Sequence, residues 1–447
     1  MSDSSSTAIS TVISTVSGTE GGFLGWDCTP APSPALLQND GSIAEALLHG
    51  YLCFSYVPSP PKPFPLTPSE SPGGTDQLLS HLRNAIERRL TATDTIGVYL
   101  SGGLDSSLVA SLLVEAGVKP HLFTLDFGEP FHLELPIAEQ VAKHLHLPLR
   151  TVSARPSDIA KALEKTVQAL PLPFGDAVTV PLYLLGQTAR DFVSEVWNGE
   201  GGDQLFGGWT NKPMIAAHLY DLAEDTESVQ QSEVQEYLAT YHRFWGQTPS
   251  LYTPYQQQKT QDIDPSQWIT PALDRERFPH LLHRLRYANL LLKGAQNIAP
   301  RMLALAHCHG LKVCSPLFDA NLTEWTFSLP PEMFLSGACE KFLLKQIAER
   351  YLPTEVVWRE KRGMGVPVTS WCLSRWSPSH WTFQRLLRYY LSNRRLHHEG
   401  RFEPAFVQRL LQGEDSTPEG SFRKRRVGEK LWLLLIWEIW REQHGVA

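Results

Sequence analysis

Apolar residues at 78, 79, 82, 86 and 90 repeat with the period of a helix and predict one over Asp76 to Leu90. The pattern then changes to a short apolar run, Ile96-Gly97-Val98-Tyr99-Leu100, which predicts a strand, and Leu108, Val109, Leu112 and Leu113 return at helical spacing after it. The alternation continues. Leu122 to Phe127 reads as a second strand, Leu135 to Leu145 as a helix with Ile137, Val141 and Leu145 on one face, and Leu149 to Val152 as a third strand. Helices over Ile159 to Leu170 and Val180 to Ala189 then lead to a fourth strand over Phe192 to Trp197. Strands separated by helices predict an α/β, Rossmann-like core: a parallel sheet with helices on both faces and ligands beyond the carboxyl ends of the strands. From about Trp209 the pattern is of long helical stretches, with one more strand-like piece near Leu311 to Cys314, so a helical C-terminal region is expected. Ahead of all this, a Ser- and Thr-rich stretch to about residue 40 predicts a low-complexity tail, and prolines from Pro58 to Pro72 predict an extended connector.

Two glycine-rich loops fall at strand ends. The first, Ser101-Gly102-Gly103-Leu104-Asp105-Ser106-Ser107, lies between a strand and a helix N-terminus. Glycine lets backbone approach an anion, and the free N–H groups with the positive end of the helix dipole favour negative charge there. Hydroxyls add donors, and Asp105, a poor companion for bare phosphate, is suited to a bridging magnesium ion. The loop lacks the terminal Lys of the P-loop and the spacing of G-x-G-x-x-G. The second loop, Asn198-Gly199-Glu200-Gly201-Gly202-Asp203, sets two carboxylates three residues apart. They could complete a magnesium site facing the first loop, or divide into a metal ligand and an acid or base.

The first loop resembles the PP-loop, S-G-G-x-D-S-S, of ATP pyrophosphatases, which cleave ATP between its α and β phosphates. The second, continued through Gln204-Leu205-Phe206-Gly207-Gly208-Trp209, resembles the S-G-E-G-S-D-E-x-F-G-G-Y motif of the asparagine synthetase family. Pro316-Leu317-Phe318-Asp319 is similar to that family's P-F-L-D, Lys341-Phe342-Leu343-Leu344-Lys345 to its K-x-x-L-R, and Lys361 to Pro367 to its K-x-G-F-x-x-P. Gly50 to Pro60 also resembles its G-Y-V-P-G-P linker, so the likeness runs over roughly residues 43 to 375. It implies ATP-dependent attack of a carboxylate on the α phosphate, release of magnesium pyrophosphate, and displacement of AMP by an amine. Carried over, Ser101, Gly102, Gly103, Ser106 and Ser107 would cradle pyrophosphate, and Asp105 and Asp203 would hold Mg²⁺. Adenine and ribose would rest against the backbone around Leu100, Leu125, Asn198 and Gly199. Glu200 would orient or deprotonate the amine, and Lys361 would neutralise charge on the α phosphate. The implied division is 1–40 tail, 41–75 connector and 76–447 synthetase-like domain, with 76–210 the nucleotide-binding α/β part and 211–447 mainly helical.

The chain departs from the family in informative places. Position 2 is Ser, where glutamine-using members carry a catalytic Cys, and no glutaminase domain is visible. Free ammonia, ammonia from a separate subunit, or an amine on the substrate is therefore expected, and a peptide-processing partner fits a peptide substrate. Lys312 and Cys314 stand where the family has an acidic and a basic residue near the acceptor, and Gln204 replaces Glu as a milder change. The expected reaction is amide formation on a small-molecule or peptide carboxylate, with lactam or macrocycle closure ahead of asparagine formation from ammonia; a catalytically silent scaffold is the remaining alternative.

Composition adds exclusions. The 447 residues, 42% hydrophobic and 19% charged, are ordinary for a globular protein, and a net charge of −7 argues against nonspecific nucleic-acid binding. The six cysteines form no C-x-x-C, which suits reduced thiols in a cytoplasmic protein. His307-Cys308-His309 with Cys314 matches no common zinc spacing. The longest apolar stretch, Leu431 to Trp440, is interrupted by Glu438 and predicts a buried helix, not a membrane span. Its tryptophans 432, 437 and 440 share helical spacing, expected for core or a subunit contact. Arg423 to Arg426 reads as a solvated cap or a contact for an acidic partner.

Overall fold

The computed structural model describes residues 74–91, 95–131, 134–208, 227–241, 243–261, 264, 266–337, 339–360, 365–373, 378–414 and 427–445. The expected tail, the linker at 50–60, Lys361 and the basic run at 423–426 lie outside the described residues.

Helix α1 (Thr75–Glu87) buries Leu78, Leu79, Leu82 and Ile86, the face that the periodicity marks. It delivers the chain to β1 (Ile96–Tyr99), followed by α2 (Leu104–Glu115), β2 (His121–Asp126), α3 (Leu135–His144) and β3 (Leu149–Ser153). Then come α4 (Pro156–Ala169), α5 (Thr179–Ala189), β4 (Glu195–Trp197) and α6 (Gly202–Phe206), and β5 (Lys312–Cys314) arrives from the otherwise helical second half. These strands form one parallel sheet in the order β3-β2-β1-β4-β5, with Val98 opposite Leu122 on one side and Trp197 on the other. From β1 the chain winds outward to β3, returns, and winds the other way through β4 to β5. Right-handed crossovers in opposite directions place helices on both faces, as expected. The order reverses between β1 and β4, so the crevice at their carboxyl ends is where such a sheet binds ligand. Both glycine-rich loops leave from that crevice.

The fourth strand is shorter than its apolar run. The amides of Phe192 and Val193 bond back to the Ala189 carbonyl at 2.9 and 3.0 Å, so those residues finish the turn of α5 instead of entering the sheet. Phe192 is 42% exposed, with the Arg150 guanidinium 4.0 Å above its ring. A two-stranded hairpin, β6 (Leu335–Ser336) with β7 (Cys339–Glu340), was not anticipated.

In the second half, the helix Val427–His444 is buried through the chain's own core: Trp432, Trp437 and Trp440 are each 1% exposed or less. Trp432 stacks on Phe383 with centroids 5.6 Å apart, and Trp440 donates to the Leu170 carbonyl at 3.2 Å. Among the described residues no helix is long and apolar enough to cross a membrane.

Candidate functional site

The first loop is ordered by its own hydroxyls. The Gly103 amide donates to Ser101 Oγ (3.1 Å), the Ser101 amide donates to Ser106 Oγ (3.2 Å), and the two hydroxyls lie 3.1 Å apart. Gly103 then caps α2 in extended conformation with no side-chain partner for the helix amides, leaving the anion-seeking end of the helix open. A cavity of about 260 Å³ opens above it. Leu100, Ser101, Gly103, Asp105, Ser106, Leu125, Asn198, Gly199, Glu200 and Asp203 all border that cavity. Gly102 and Ser107 do not: Gly102 turns at φ +73° with its back to the Ala138 amide, and Ser107 is fully buried, its amide bonded to the Gly103 carbonyl at 3.1 Å. These two shape the loop from behind.

The second loop presses against the first so closely that side chains are excluded. A Cβ at Gly202 would fall on the Asp105 carboxylate, and one at Gly208 on Lys341 Cε and Asp203 Oδ1. Gly202 therefore brings the two acidic loops into contact, and Gly208 makes room for Lys341. Gly202→Ala is expected to force the loops apart, at about 1–3 kcal/mol of overpacking, and to weaken Mg–ATP binding; chemical denaturation and equilibrium nucleotide binding check the two effects.

The carboxylates converge on a single cation, the ammonium of Lys341. It is ion-paired to Asp105 Oδ2 and, at 2.6 Å, to Asp203 Oδ1, and its side chain is 3% exposed. Burial alone would lower its pKa, but the two carboxylates more than reverse this and raise it. This geometry tests the fit of a magnesium ion. Two hard oxygen ligands already meet on one positive charge, and Asp105 Oδ1 is buried with no hydrogen-bond partner among the described residues. The donor set suits a hard divalent ion sharing its remaining positions with phosphate oxygens.

Glu200 borders the cavity beside this cluster. Its backbone amide donates to Asn198 Oδ1 at 2.9 Å, and Ser315 Oγ donates to the same oxygen at 2.8 Å. Burial raises the Glu200 pKa; Arg301 and Lys293 pull it down, while Asp203 and Asp176 push it up. Arg301 is held by Asp176 at 2.5 Å and by Asn297 Oδ1 at 3.0 Å. Both cations come from one rod, Leu281–Ala288 continued by a π-helix over Asn289–Ile298 and an α-helix over Ala299–His307. Widened helical turns of this kind recur at functional sites, because they re-aim side chains out of the ordinary register.

The structure also redistributes the departures from the family pattern. Lys312 is exposed at the beginning of β5 and does not border the cavity, while Cys314 is buried at the strand's carboxyl end, its carbonyl accepting the Asn198 amide at 3.1 Å. Gln204, read as the milder change, does border the cavity, 4% exposed and with Oε1 unpartnered among the described residues. Asp319 of the P-L-F-D segment is structural: it takes Arg88 at 2.8 Å and Arg89 at 2.7 Å, tying the end of α1 to the segment that packs under Gly201. Lys341, Lys345 and Arg359 line the cavity and had no assigned role; the K-x-x-L-R likeness was the one signal for the first two. No cluster of three or more His, Cys, Asp and Glu that could hold a metal occurs among the described residues.

Comparison with known proteins gives a consistent picture. The family model described as asparagine synthase matches residues 77–442. Asparagine synthetase (glutamine-hydrolyzing) 1 of Bacillus subtilis (strain 168) is 22% identical over 453 residues, covering 90% of this chain and 69% of that protein. Asparagine synthetase (glutamine-hydrolyzing) of Homo sapiens is 26% identical over 298 residues, covering 64% of this chain and 42% of that protein. Among solved structures, NMN synthetase from Francisella tularensis aligns at 18% identity and a TM-score of 0.26 over 50% of this chain and 95% of that chain; the fold described above rests on the sheet order instead.

Proposed function

The chain belongs to the asparagine synthase family of ATP-dependent ligases, and we propose that it activates a carboxylate as an acyl-adenylate and passes the acyl group to an amine. The observation that carries this reading is the meeting of the two glycine-rich loops at the β1/β4 switch point, with Asp105 and Asp203 on one cation and Glu200 beside them.

In the proposed reaction a substrate carboxylate oxygen attacks the α phosphorus, the bond to the β-phosphate oxygen breaks, and pyrophosphate leaves. The Ser101–Ser106 loop and the N-terminus of α2 would receive that leaving group, the loop hydroxyls and the helix amides that no side chain caps supplying donors as its negative charge grows. Asp105 and Asp203 would hold Mg²⁺, which when bound offsets phosphate charge. Lys361, outside the described residues, is proposed to offset charge at the α phosphate. An amine then attacks the acyl carbon, its proton passes to Glu200, and AMP departs. Leu100, Leu125, Asn198 and Gly199 are proposed to support the nucleoside.

For the acceptor we propose an amine carried by the substrate, closing a lactam or macrocycle. Gln204 supports this over aspartate: it offers the cavity a neutral amide where the family motif has a carboxylate, removing a charge that would pair with an amino acid's ammonium. The test is pyrophosphate release from ATP and Mg²⁺ with a panel of carboxylates, with and without ammonium. Release on a carboxylate other than aspartate, independent of ammonium, is expected. A requirement for aspartate and ammonium together would make the protein an ammonia-dependent asparagine synthetase. No release under any condition, unchanged by Asp105→Ala, would leave a silent scaffold.

A further inference from the structure

Lys341 is placed with unusual definition. It stands between the β6–β7 hairpin and the helix Phe342–Ala348, in left-handed conformation at φ +54°, a region that side chains other than glycine's seldom adopt. The absence of a Cβ at Gly208 leaves room for its Cε, and its ammonium spans the two carboxylates of the metal position. Its residue is 2% exposed, and Asp105 and Asp203 are its ion-pair partners.

These facts impose a competition. A divalent cation that took Asp105 Oδ2 and Asp203 Oδ1 would compete with the ammonium that these two oxygens now hold. Arriving alone, it would displace the lysine from both partners and leave two like charges side by side. Arriving with a triphosphate, it brings the anion that the displaced ammonium needs. Lys345, the other buried lysine of this segment, cannot serve as that partner, being a cation itself; it lines the same cavity and forms no ion pair among the described residues, its Nζ lying 3.6 Å from Cys339 Sγ.

We propose that Lys341 makes the metal position selective for a nucleotide-chelated divalent ion: the free cation is refused, and the chelate is admitted because its phosphates take over the ammonium as its metal takes over the carboxylates. The proposal rests on the Mg–ATP reading of the site. It makes metal and nucleotide binding positively coupled through one side chain, and by reciprocity each should tighten the other.

The test uses Mn²⁺ as a paramagnetic probe of the full-length protein, without nucleotide. Wild type is expected to show no Mn²⁺ site that Asp203→Asn removes. Lys341→Gln should acquire one at least tenfold tighter than any wild-type binding, and Lys341→Gln with Asp203→Asn should lose it again. Lys341→Arg, which keeps the charge, should refuse the ion as wild type does, and provides the readout if the neutral variant does not fold. Separately, binding of α,β-methylene ATP with Mg²⁺ to wild type reports on the underlying reading. If that analogue fails to bind, the Mg–ATP reading falls and the proposal with it. If the analogue binds while wild type alone holds Mn²⁺ as tightly as Lys341→Gln, or through Asp203, the proposal alone is overturned.

Discussion

Asp105→Asn is expected to lower pyrophosphate release by about 10²–10³-fold, the range seen when one fixed electrostatic partner of a transition state is removed. The side chain keeps its size, so the tight approach of Gly202 to position 105 is preserved and the loops can still meet. What is lost is charge. Lys341 retains Asp203 at 2.6 Å, which keeps the buried ammonium paired and the fold intact, while the proposed metal site would lose one of its two carboxylates. The loss should appear both in the affinity for Mg–ATP and in the rate of the α,β cleavage, with thermal unfolding changed little. Rate measurements at saturating Mg²⁺ separate the two, and a variant retaining activity within twofold would show that Asp105 is not at the phosphates.

Much of this site is legible in the chain, and the physical reason is that its parts are local. A strand that ends in a glycine-rich loop and passes straight into a helix can be read over a dozen residues, and both loops at the β1/β4 switch are of that kind. What is not legible depends on long-range contact. Lys341 is 236 residues from Asp105 in sequence, and nothing in its own neighbourhood indicates that it will enter between two carboxylates. Lys312 and Gln204 show the converse. A change of charge at Lys312 looked weightier than an amide for an acid at Gln204, yet burial decides: one is at the exposed start of an edge strand, the other faces the cavity. Phe192 has strand propensity, but the hydrogen bonds of the preceding helix claim it first. The β6–β7 hairpin has two residues in each strand, too few for a period of two to register.

The second large effect concerns the amine step. Glu200→Gln is expected to leave carboxylate-dependent exchange of pyrophosphate into ATP within a few-fold of wild type, while amide formation falls by about 10²–10⁴-fold, the usual worth of a positioned acid or base. The separation follows from the geometry. In the proposed reaction pyrophosphate would be handled by the first loop and by Asp105 and Asp203, whereas Glu200 is fixed through its own backbone to Asn198, beside the two carboxylates but not part of the pair on Lys341. The pH dependence gives an independent sign. Burial first, then Asp203 and Asp176, raise the Glu200 pKa against the pull of Arg301 and Lys293. A base must be ionised to accept a proton, so wild-type amide formation should rise with pH along a limb lying above the ordinary glutamate range, and Glu200→Gln should abolish that limb. Lys293→Met should move it to higher pH, because one of the cations opposing the shift is gone. Folding responds with the opposite sign: a carboxyl whose pKa is raised in the folded state binds its proton more tightly there, so its contribution to stability is lost as pH rises from the unfolded value through the folded one. Glu200→Gln should flatten that part of the stability profile. An equal loss of exchange and amide formation in Glu200→Gln would instead place this carboxylate at the adenylation step.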